Sequence, residues 1–207
     1  YDAMPHPTAD RVLFSRTGFS AAHHLLELDL STGQARRLDP PDRPARYHSA
    51  TYSLDGDHVY VVTDLDSDRT NLMCLDLNTG QWETVIGPYY ELEYFSLSPD
   101  GRTIAYGTRG PKDEDKGLWV LDTTSGVTKM LVPPSGDPEG DVFAASHPVW
   151  SPDGRWIAFL HAYEGGALCF VTPDGSSKRL DVTSAWWPLY WLQDSSLVVY
   201  DATNAEG

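Results

Sequence analysis

Short stretches of alternating hydrophobic and polar residues, separated by turns, run along the whole chain. In the second quarter of the sequence, "HVYVVT" (residues 58–63) and "NLMCLD" (residues 71–76) indicate strands, because successive side chains of a strand point to opposite faces. The preceding "HSATYS" and the following "QWETVI" supply two more strands, and polar turns separate the four. The pattern therefore predicts a four-stranded antiparallel sheet.

Two kinds of turn recur along the chain with similar spacing. The first is a Ser-Pro-Asp-Gly type of turn before the second strand, with its aspartate at Asp55, Asp100, Asp153 and, in a degenerate form, Asp194. The second follows a "LDL"-like strand and ends at Gly33, Gly80, Gly126 and Gly175. Glycine suits such turns because it adopts a positive φ without a Cβ clash. The common spacing predicts one structural unit used repeatedly.

Repeated four-stranded meanders of this length are typical of a β-propeller, in which each sheet is one blade. The predicted fold class is all-β, a β-propeller of four-stranded antiparallel blades, with about four and a half blades in residues 1–207. The predicted blades cover about residues 5–40, 46–88, 91–133 and 143–183, with a partial blade at 186–207. Since a half-blade would leave a strand edge unpaired, we expect the chain to be a segment of a larger ring or chain. The first blade is the least regular, because its start carries two prolines where an inner strand is expected.

Charge and composition exclude some partners. The chain has 15 Lys and Arg against 30 Asp and Glu, a formal net charge of −15, which repels nucleic acid and anionic membrane surfaces. No apolar run is long enough to cross a bilayer, so neither nucleic acid nor membrane is a predicted partner. Cys74 and Cys169 occupy the same point of the third strand two blades apart, and we expect both to be packed thiols.

The sequence also resembles a known class of propeller. The "SPDG" turns with the strands that follow them, residues 98–106 and 151–159, and the "LDLxTG" segments resemble the TolB-like or PD40 (WD40-like) repeat. Within that class, residues 61–86 and 91–110 look most like the propeller domain of acylaminoacyl-peptidase-like members of the prolyl oligopeptidase (S9) serine peptidases. The resemblance covers nearly the whole chain.

This resemblance implies a function without assigning a catalytic residue. In such peptidases the propeller caps an α/β-hydrolase domain and filters access, while the catalytic Ser, Asp and His lie in the hydrolase domain. The sequence contains no G-x-S-x-G motif. The resemblance therefore implies a non-catalytic domain that gates or binds peptide substrate, with a peptide, a protein or a hydrolase domain of the same parent chain as partner. Two alternatives are a TolB-like protein-interaction scaffold and a propeller lyase or hydrolase that acts on oligosaccharide with a divalent metal.

Candidate ligand-binding residues come from the first strand of each blade, which lines the central channel of a propeller. These residues are His48, Glu93, Tyr94, His147 and Trp187. A polar and aromatic lining of this kind suits a peptide or a sugar. His48 and His147 belong to blades separated by an intervening one, so the sequence predicts no metal site and no cofactor.

Two further segments invite a functional interpretation. Asp64, Asp66 and Asp68 alternate as at the start of a calcium loop, but Arg69 and Leu75 stand where an EF-hand needs Gly and Glu. We expect a solvated acidic loop instead. The aromatic stretch at residues 184–191, "SAWWPLYW", is expected to pack in the core, the alternative being an exposed platform for carbohydrate or peptide.

Overall fold

The computed structural model describes residues 3–17, 23–87, 91–109, 116–133, 146–161, 167–184 and 186–200. The description leaves out the side chains of Thr17, Glu91, Glu93, Arg109, Ser146, His161, residues 179–188 and residues 197–200. Across these ranges the regular structure is β-strand, and none of it forms a helix long and apolar enough to span a membrane. The chain divides into two compact units, Tyr1–Glu91 and Leu92–Gly207.

The first unit contains two four-stranded antiparallel sheets whose strands pair in sequence order. The first sheet, blade 1, consists of β1 (Met4–Pro5), β2 (Arg11–Thr17), β3 (His23–Asp29) and β4 (Ala35–Arg37). The second sheet, blade 2, consists of β5 (Tyr47–Tyr52), β6 (His58–Thr63), β7 (Asn71–Asp76) and β8 (Trp82–Ile86). Both sheets are the meanders that the alternating sequence pattern predicts.

The second unit contains two more four-stranded sheets and a two-stranded one. Blade 3 consists of β9 (Glu91–Leu97), β10 (Thr103–Arg109), β11 (Gly117–Asp122) and β12 (Thr128–Val132). Blade 4 consists of β13 (Ser146–Trp150), β14 (Ile157–His161), β15 (Ala167–Val171) and β16 (Lys178–Ser184). The fifth sheet pairs β17 (Trp186–Trp191) with β18 (Leu197–Tyr200), and residues 201–207 lie outside the described ranges.

The recurring turns have the geometry that the sequence predicts. In the Ser-Pro-Asp-Gly turns Gly101 donates its backbone N–H to Ser98 O at 2.9 Å, and the Ser98 hydroxyl donates to Asp100 Oδ1 at 2.6 Å. The glycine has φ +71°, a left-handed conformation that L side chains rarely adopt. Ser195 holds the corresponding position of the fifth sheet with φ 63°, as the degenerate "LQDSS" turn requires.

Successive sheets within each unit pack face to face through apolar clusters. In the first unit Leu13 and Leu25 of blade 1 share a buried cluster with Val59, Val61 and Met73 of blade 2. In the second unit one cluster joins blade 3 to blade 4, and another joins the opposite face of blade 4 to Leu189 of the fifth sheet. Burying a side chain of this size contributes about 1.5–3 kcal/mol. Face-to-face packing of four-stranded antiparallel sheets is the arrangement of propeller blades, and the predicted fold class is confirmed.

The first blade begins differently from the sequence expectation. Its inner strand is only two residues long, and its two prolines, Pro5 and Pro7, lie on either side of His6, the first residue of the turn that follows. His6 donates its backbone N–H to Arg11 O at 2.9 Å, as Ser98 does to Thr103 O at 2.8 Å. Residues 6–9, "HPTA", therefore hold the place of the Ser-Pro-Asp-Gly turn in blade 1, but the Ala9 N–H donates to His6 Nδ1 at 3.0 Å where the Gly101 N–H donates to a backbone carbonyl. The sequence pattern did not indicate this turn.

Indole side chains link successive blades in the second unit. Trp150 is the residue before the turn of blade 4, and its Nε1–H donates to Ser96 O of blade 3 at 3.1 Å. Trp191 is the residue before the turn of the fifth sheet, and its Nε1–H donates to Val149 O of blade 4 at 3.1 Å. In the first unit Tyr52 holds this position and donates its hydroxyl to Glu27 Oε1 of blade 1 at 2.8 Å. Each blade is thus fixed to the preceding one within its unit.

Candidate functional site

The first strands of blades 2 and 4 carry the same irregularity. The register of β5 shifts between His48 and Thr51, and that of β13 shifts between Ser146 and Val149. Ser49 and His147 lie in these shifts with φ 49° and 52°, each four residues before the serine of the turn. His147 therefore corresponds to Ser49, and His48 lies one position earlier in its strand. The two histidines are not at equivalent positions.

In the second unit two of the predicted site residues meet. Tyr94 on β9 also lies four residues before its turn serine, and its ring stacks on that of His147 with centroids 3.7 Å apart and planes at 30°. His147 is 7% exposed, and burial lowers the pKa of its imidazole to about 4. The ring is therefore neutral at pH 7. Of the stacked pair, the ring of Tyr94 is half-buried and that of His147 is buried, so His147 supports the tyrosine ring from one side.

In the first unit His48 lies close to charged groups of the neighbouring loop. Burial is the main cause of the lowering of its pKa to about 4, and the charges of Arg46 and His23 add to it. Arg46 donates its backbone N–H and its Nε–H to the carboxylate of Asp64, at 2.6 and 2.7 Å. Burial raises the pKa of Asp64, but these bonds outweigh it and hold the pKa below its ordinary value.

The acidic loop after β6 is exposed at Asp66 and Asp68, as the sequence predicts, whereas Asp64 is half-buried. Arg43 donates to Asp66 Oδ2 at 2.6 Å, and Asp64 is paired with Arg46. The side chain of Asp64 is only 21% exposed. Two of the three aspartates thus form ion pairs with arginines from the segment before β5, and that of Asp66 is exposed on both sides.

The structure gives the backbone position of the remaining predicted site residues and the exposure of part of the aromatic stretch. The backbones of Glu93 and Trp187 lie in β9 and β17, and both side chains lie outside the description. In the same stretch as Trp187, Leu189 is buried as expected, but Tyr190 is 55% exposed. Among the described residues no group of three or more His, Cys, Asp or Glu side chains is placed to hold a metal ion.

Two buried carboxylates in blade 1 were missed by the sequence analysis. Glu27 is 3% exposed and accepts from Tyr52 and from Arg36 Nε. It occupies the third-strand position that Cys74 holds in blade 2, so a charge at a position that is otherwise apolar was the available signal. The second, Asp39, is 4% exposed and accepts the backbone N–H of Leu25 at 2.9 Å. Because each carboxylate has several donors, both stabilise the fold as paired groups.

Asp39 also orients a histidine. His24 Nδ1 lies 3.2 Å from Asp39 Oδ2, and the guanidinium of Arg37 contacts the same oxygen at 2.6 Å. The side chain of His24 is 36% exposed. A buried carboxylate that holds one imidazole nitrogen fixes the orientation of the ring. Here the arginine already neutralises the carboxylate, so the pair serves the structure of blade 1.

The two cysteines are free thiols. Cys169 is buried and Cys74 is half-buried, and burial raises the pKa of the Cys74 thiol to about 11. Both are packed on third strands, as the sequence analysis expects.

Known proteins are similar to the chain in sequence over part of its length. No model of a known protein family matches the sequence. An uncharacterized protein of Agrobacterium fabrum is 28% identical over 134 residues, which are 63% of this chain and 43% of that protein. Dipeptidyl-peptidase 5 of Porphyromonas gingivalis is 29% identical over 119 residues, which are 52% of this chain and 16% of that protein. The chain spans less than half the length of the curated relatives it matches.

Solved structures resemble the chain over nearly its whole length. A putative TolB from Agrobacterium tumefaciens has a TM-score of 0.73 at 22% identity, covering 98% of this chain and 70% of its own. A prolyl endopeptidase structure has a TM-score of 0.62 at 17% identity, covering 89% and 30%. An oligogalacturonate lyase from Vibrio parahaemolyticus has a TM-score of 0.69 at 17% identity, covering 98% and 59%. The chain has the propeller fold of TolB and of prolyl endopeptidase propeller domains.

Proposed function

We propose that the chain is a non-catalytic β-propeller domain that gates or binds peptide substrate for a prolyl-oligopeptidase-type serine peptidase. The observation that carries the proposal is the similarity to dipeptidyl-peptidase 5, of which the chain matches only 16%. The prolyl endopeptidase is matched over 30% of its length. In both cases the matched portion leaves room for a separate catalytic domain in the longer protein.

The contact with substrate is proposed for the first strands. We place His48, Glu93, Tyr94, His147 and Trp187 on the channel lining, because the first strand of each blade faces the axis of a propeller. The buried ring of His147 stacks on the half-buried ring of Tyr94 and restricts its orientation, so Tyr94 supplies the aromatic surface of this lining in the second unit. Rigid aromatic side chains lose little conformational entropy when they bind a peptide.

The first experiment asks whether the parent protein is a serine hydrolase. Full-length parent protein is treated with a fluorophosphonate probe, with heat-denatured protein as the control. Labelling of one serine is the expected result, because an activated serine nucleophile reacts with the probe. Absence of labelling on folded, full-length protein would remove the peptidase proposal.

The second experiment tests the gate. The Tyr94→Ala variant is compared with Tyr190→Ala, which changes an exposed tyrosine of β17. We expect Tyr94→Ala to change kcat/KM for long peptides while that for a dipeptide-based substrate stays constant, and Tyr190→Ala to change neither. Equal effects on long and short substrates would show that Tyr94 acts on the catalytic domain as a whole.

Two other functions have a specific observation in their favour. The match to a putative TolB favours a protein-interaction scaffold, which predicts no serine labelling. The match to an oligogalacturonate lyase in complex with manganese favours a lyase that acts on oligosaccharide. Manganese bound at one equivalent, measured by elemental analysis after dialysis of the purified parent protein, would support the lyase.

A further inference from the structure

A small cleft lies between blade 4 and the fifth sheet of the second unit. We call it the aromatic cleft, and it has a volume of about 240 Å³. The described residues that line it include Asp153, Arg155, Trp156 and Phe170 of blade 4 and Trp191 and Ser195 of the fifth sheet. Sites for drug-sized ligands have volumes of about 300–1,000 Å³, so this cleft is of a size for one small ring.

The three aromatic side chains of the cleft are specific to this pair of sheets. Phe170 pairs with Ala158 in its sheet as Val120 pairs with Ala105, which fixes the equivalent positions. Trp156, Phe170 and Trp191 stand where blades 1 and 2 carry Arg11, Glu27 and Tyr52, and where blades 3 and 4 carry Thr103, Val120 and Trp150. The packing of two blades therefore does not require three aromatic rings at these positions.

The rings are held in place and still reach the surface. Trp191 donates its Nε1–H to Val149 O at 3.1 Å, and its ring meets that of Phe170 edge-on with centroids 6.1 Å apart. Trp156, Phe170 and Trp191 are each half-buried, so part of every ring is open to solvent. In the described part of the chain no group accepts a hydrogen bond from the indole N–H of Trp156. The cleft thus offers ordered aromatic walls with a donor at one edge.

The polar side chains of the cleft carry no net charge. Arg155 donates its Nε–H to Asp153 Oδ2 at 2.8 Å, and the two side chains are 77% and 28% exposed. The hydroxyl of Ser151 and the N–H groups of Arg155 hold the pKa of Asp153 below its ordinary value, so its carboxylate is ionised at pH 7 and balances the guanidinium. Among the described residues the hydroxyl of Ser195 has no hydrogen-bond partner. A neutral ligand with several hydroxyl groups matches this set of donors and acceptors.

The backbone around the cleft is unsuited to an extended peptide. The turn of blade 4 uses the N–H groups of Ser151 and Gly154 within itself, and that of the fifth sheet uses those of Leu192 and Ser195. A peptide that adds to a sheet is held chiefly by backbone hydrogen bonds, which these N–H groups cannot supply. The formal net charge of −15 also disfavours an anionic ligand.

We propose that the aromatic cleft binds one pyranose ring of a neutral oligosaccharide. The C–H face of the sugar packs on the aromatic rings, whose faces carry partial negative charge. Its hydroxyl groups donate to Asp153 and accept from Arg155 and from the indole N–H of Trp156. This inference concerns the seam between blade 4 and the fifth sheet and does not depend on the proposed function.

The test uses two neutral oligosaccharides, cellotetraose and maltotetraose, with the full-length parent protein. Saturation-transfer-difference NMR measures the transfer of magnetisation from protein to ligand as the ligand is titrated. We expect saturable transfer to the ring C–H protons of at least one of them. Sorbitol has hydroxyl groups but no ring face, and trigalacturonate adds carboxylates to the ring, so each is expected to bind about tenfold more weakly or less.

Variants locate the binding in the cleft. Trp156→Thr introduces the residue that blade 3 has at this position and is expected to weaken binding about tenfold. Tyr190→Ala removes an exposed ring of the fifth sheet that does not line the cleft, and it should leave binding unchanged. Arg155→Ala changes an exposed side chain and should weaken binding about threefold, which tests the site if Trp156→Thr fails to fold.

Four results would overturn the proposal. They are no saturable transfer to either neutral oligosaccharide, equal transfer to sorbitol, unchanged binding to folded Trp156→Thr, and unchanged binding to folded Arg155→Ala. A blocked penta-proline peptide is titrated in parallel. Saturable transfer to this peptide that is lost in Trp156→Thr, with none to the sugars, would assign the cleft to a peptide instead.

Discussion

The buried bond between Tyr52 and Glu27 links blades 1 and 2 and gives a sharp prediction of stability. The Tyr52→Phe variant keeps the ring and removes only the hydroxyl that donates to Glu27 Oε1 at 2.8 Å. Glu27 is 3% exposed, so water cannot readily replace the lost donor. A hydrogen bond to a charged group contributes about 1.5–3 kcal/mol, and we expect a loss of about 2 kcal/mol in the free energy of unfolding.

Partners of the other oxygen of Glu27 contribute less. Arg36 and Arg11 contact Oε2, but their side chains are 52% and 42% exposed, and solvent screens such pairs. The effect of the tyrosine should therefore exceed that of Arg11→Gln. Coupling between Tyr52→Phe and Glu27→Gln, from a double-mutant cycle, isolates the tyrosine–carboxylate term.

The dependence on pH provides a second measurement. Burial raises the pKa of Glu27, but the bonds from Arg36 and Tyr52 together with the arginine charges outweigh it, so the pKa is below its ordinary value of 4.5. A carboxylate with a lowered pKa contributes stability that is present above the unfolded pKa and is lost as pH falls through the folded pKa. Loss of the tyrosine bond raises the folded-state pKa of Glu27, so the difference in stability between Tyr52→Phe and the unaltered protein should narrow as pH falls from the pKa of Glu27 in the variant to its lower pKa in the unaltered protein.

Urea denaturation followed by tryptophan fluorescence and by circular dichroism measures the change. At a slope of about 2 kcal/mol/M, the midpoint of Tyr52→Phe should fall by about 1 M with an unchanged slope. Tyr60→Phe, which removes a hydroxyl from a half-buried tyrosine of β6, is the matched control and should cost less than about 0.5 kcal/mol. Equal midpoints for Tyr52→Phe and Tyr60→Phe would refute the reasoning.

Further predictions concern one histidine, two indoles and one thiol. Burial lowers the pKa of His147 from 6.5 to about 4 on folding, so protonation below pH 6.5 favours the unfolded protein. The free energy of unfolding should be about 3 kcal/mol lower at pH 4 than above pH 6.5. His147→Asn should reduce this loss because asparagine does not titrate, and asparagine is chosen because it tolerates the positive φ. Urea titrations at several pH values measure the effect. Trp150→Phe and Trp191→Phe should each lower the free energy of unfolding by about 1 kcal/mol or more, since each loses an indole bond to the preceding blade; unchanged thermal midpoints would contradict this. Cys74, with a thiol pKa of about 11, should react slowly with Ellman's reagent at pH 8 and rapidly in urea, and fast reaction of folded protein would show that it is exposed.

The fold was predictable because local chemistry repeats with the blade. The turns of blades 2, 3 and 4 each have a residue of positive φ at a fixed point, and each strand needs apolar side chains on the faces that meet other sheets. Gly56, Gly101 and Gly154 meet the first requirement with φ between 69° and 78°. Such requirements appear in the sequence at regular spacing, so the repeat of four-stranded sheets could be recognised from the sequence alone.

The candidate site was predictable only in part. Counting back from the turn serines places Tyr94 and His147 on first strands, but their stacking depends on a register shift and on a positive φ at His147. A histidine in a left-handed conformation is uncommon, so spacing alone did not indicate it. The buried pair Glu27 and Tyr52 was missed because its two members lie 25 residues apart, in different blades.

The turns of blades 1 and 3 show how an irregular repeat makes the contacts between neighbouring blades differ. A turn needs acceptors for its own backbone N–H groups, and either a serine hydroxyl or an imidazole nitrogen supplies them. Serine is then used up within the turn, whereas histidine retains a second nitrogen that reaches the next blade. The same local requirement is met with space left open beside Gly154, between the turns of blades 3 and 4. The corresponding space beside Gly56, between blades 1 and 2, is filled by the ring of His6. A turn that departs from the consensus therefore changes the surface between two neighbouring blades. The first residue of the turn decides whether the space beside the glycine of the next blade is filled.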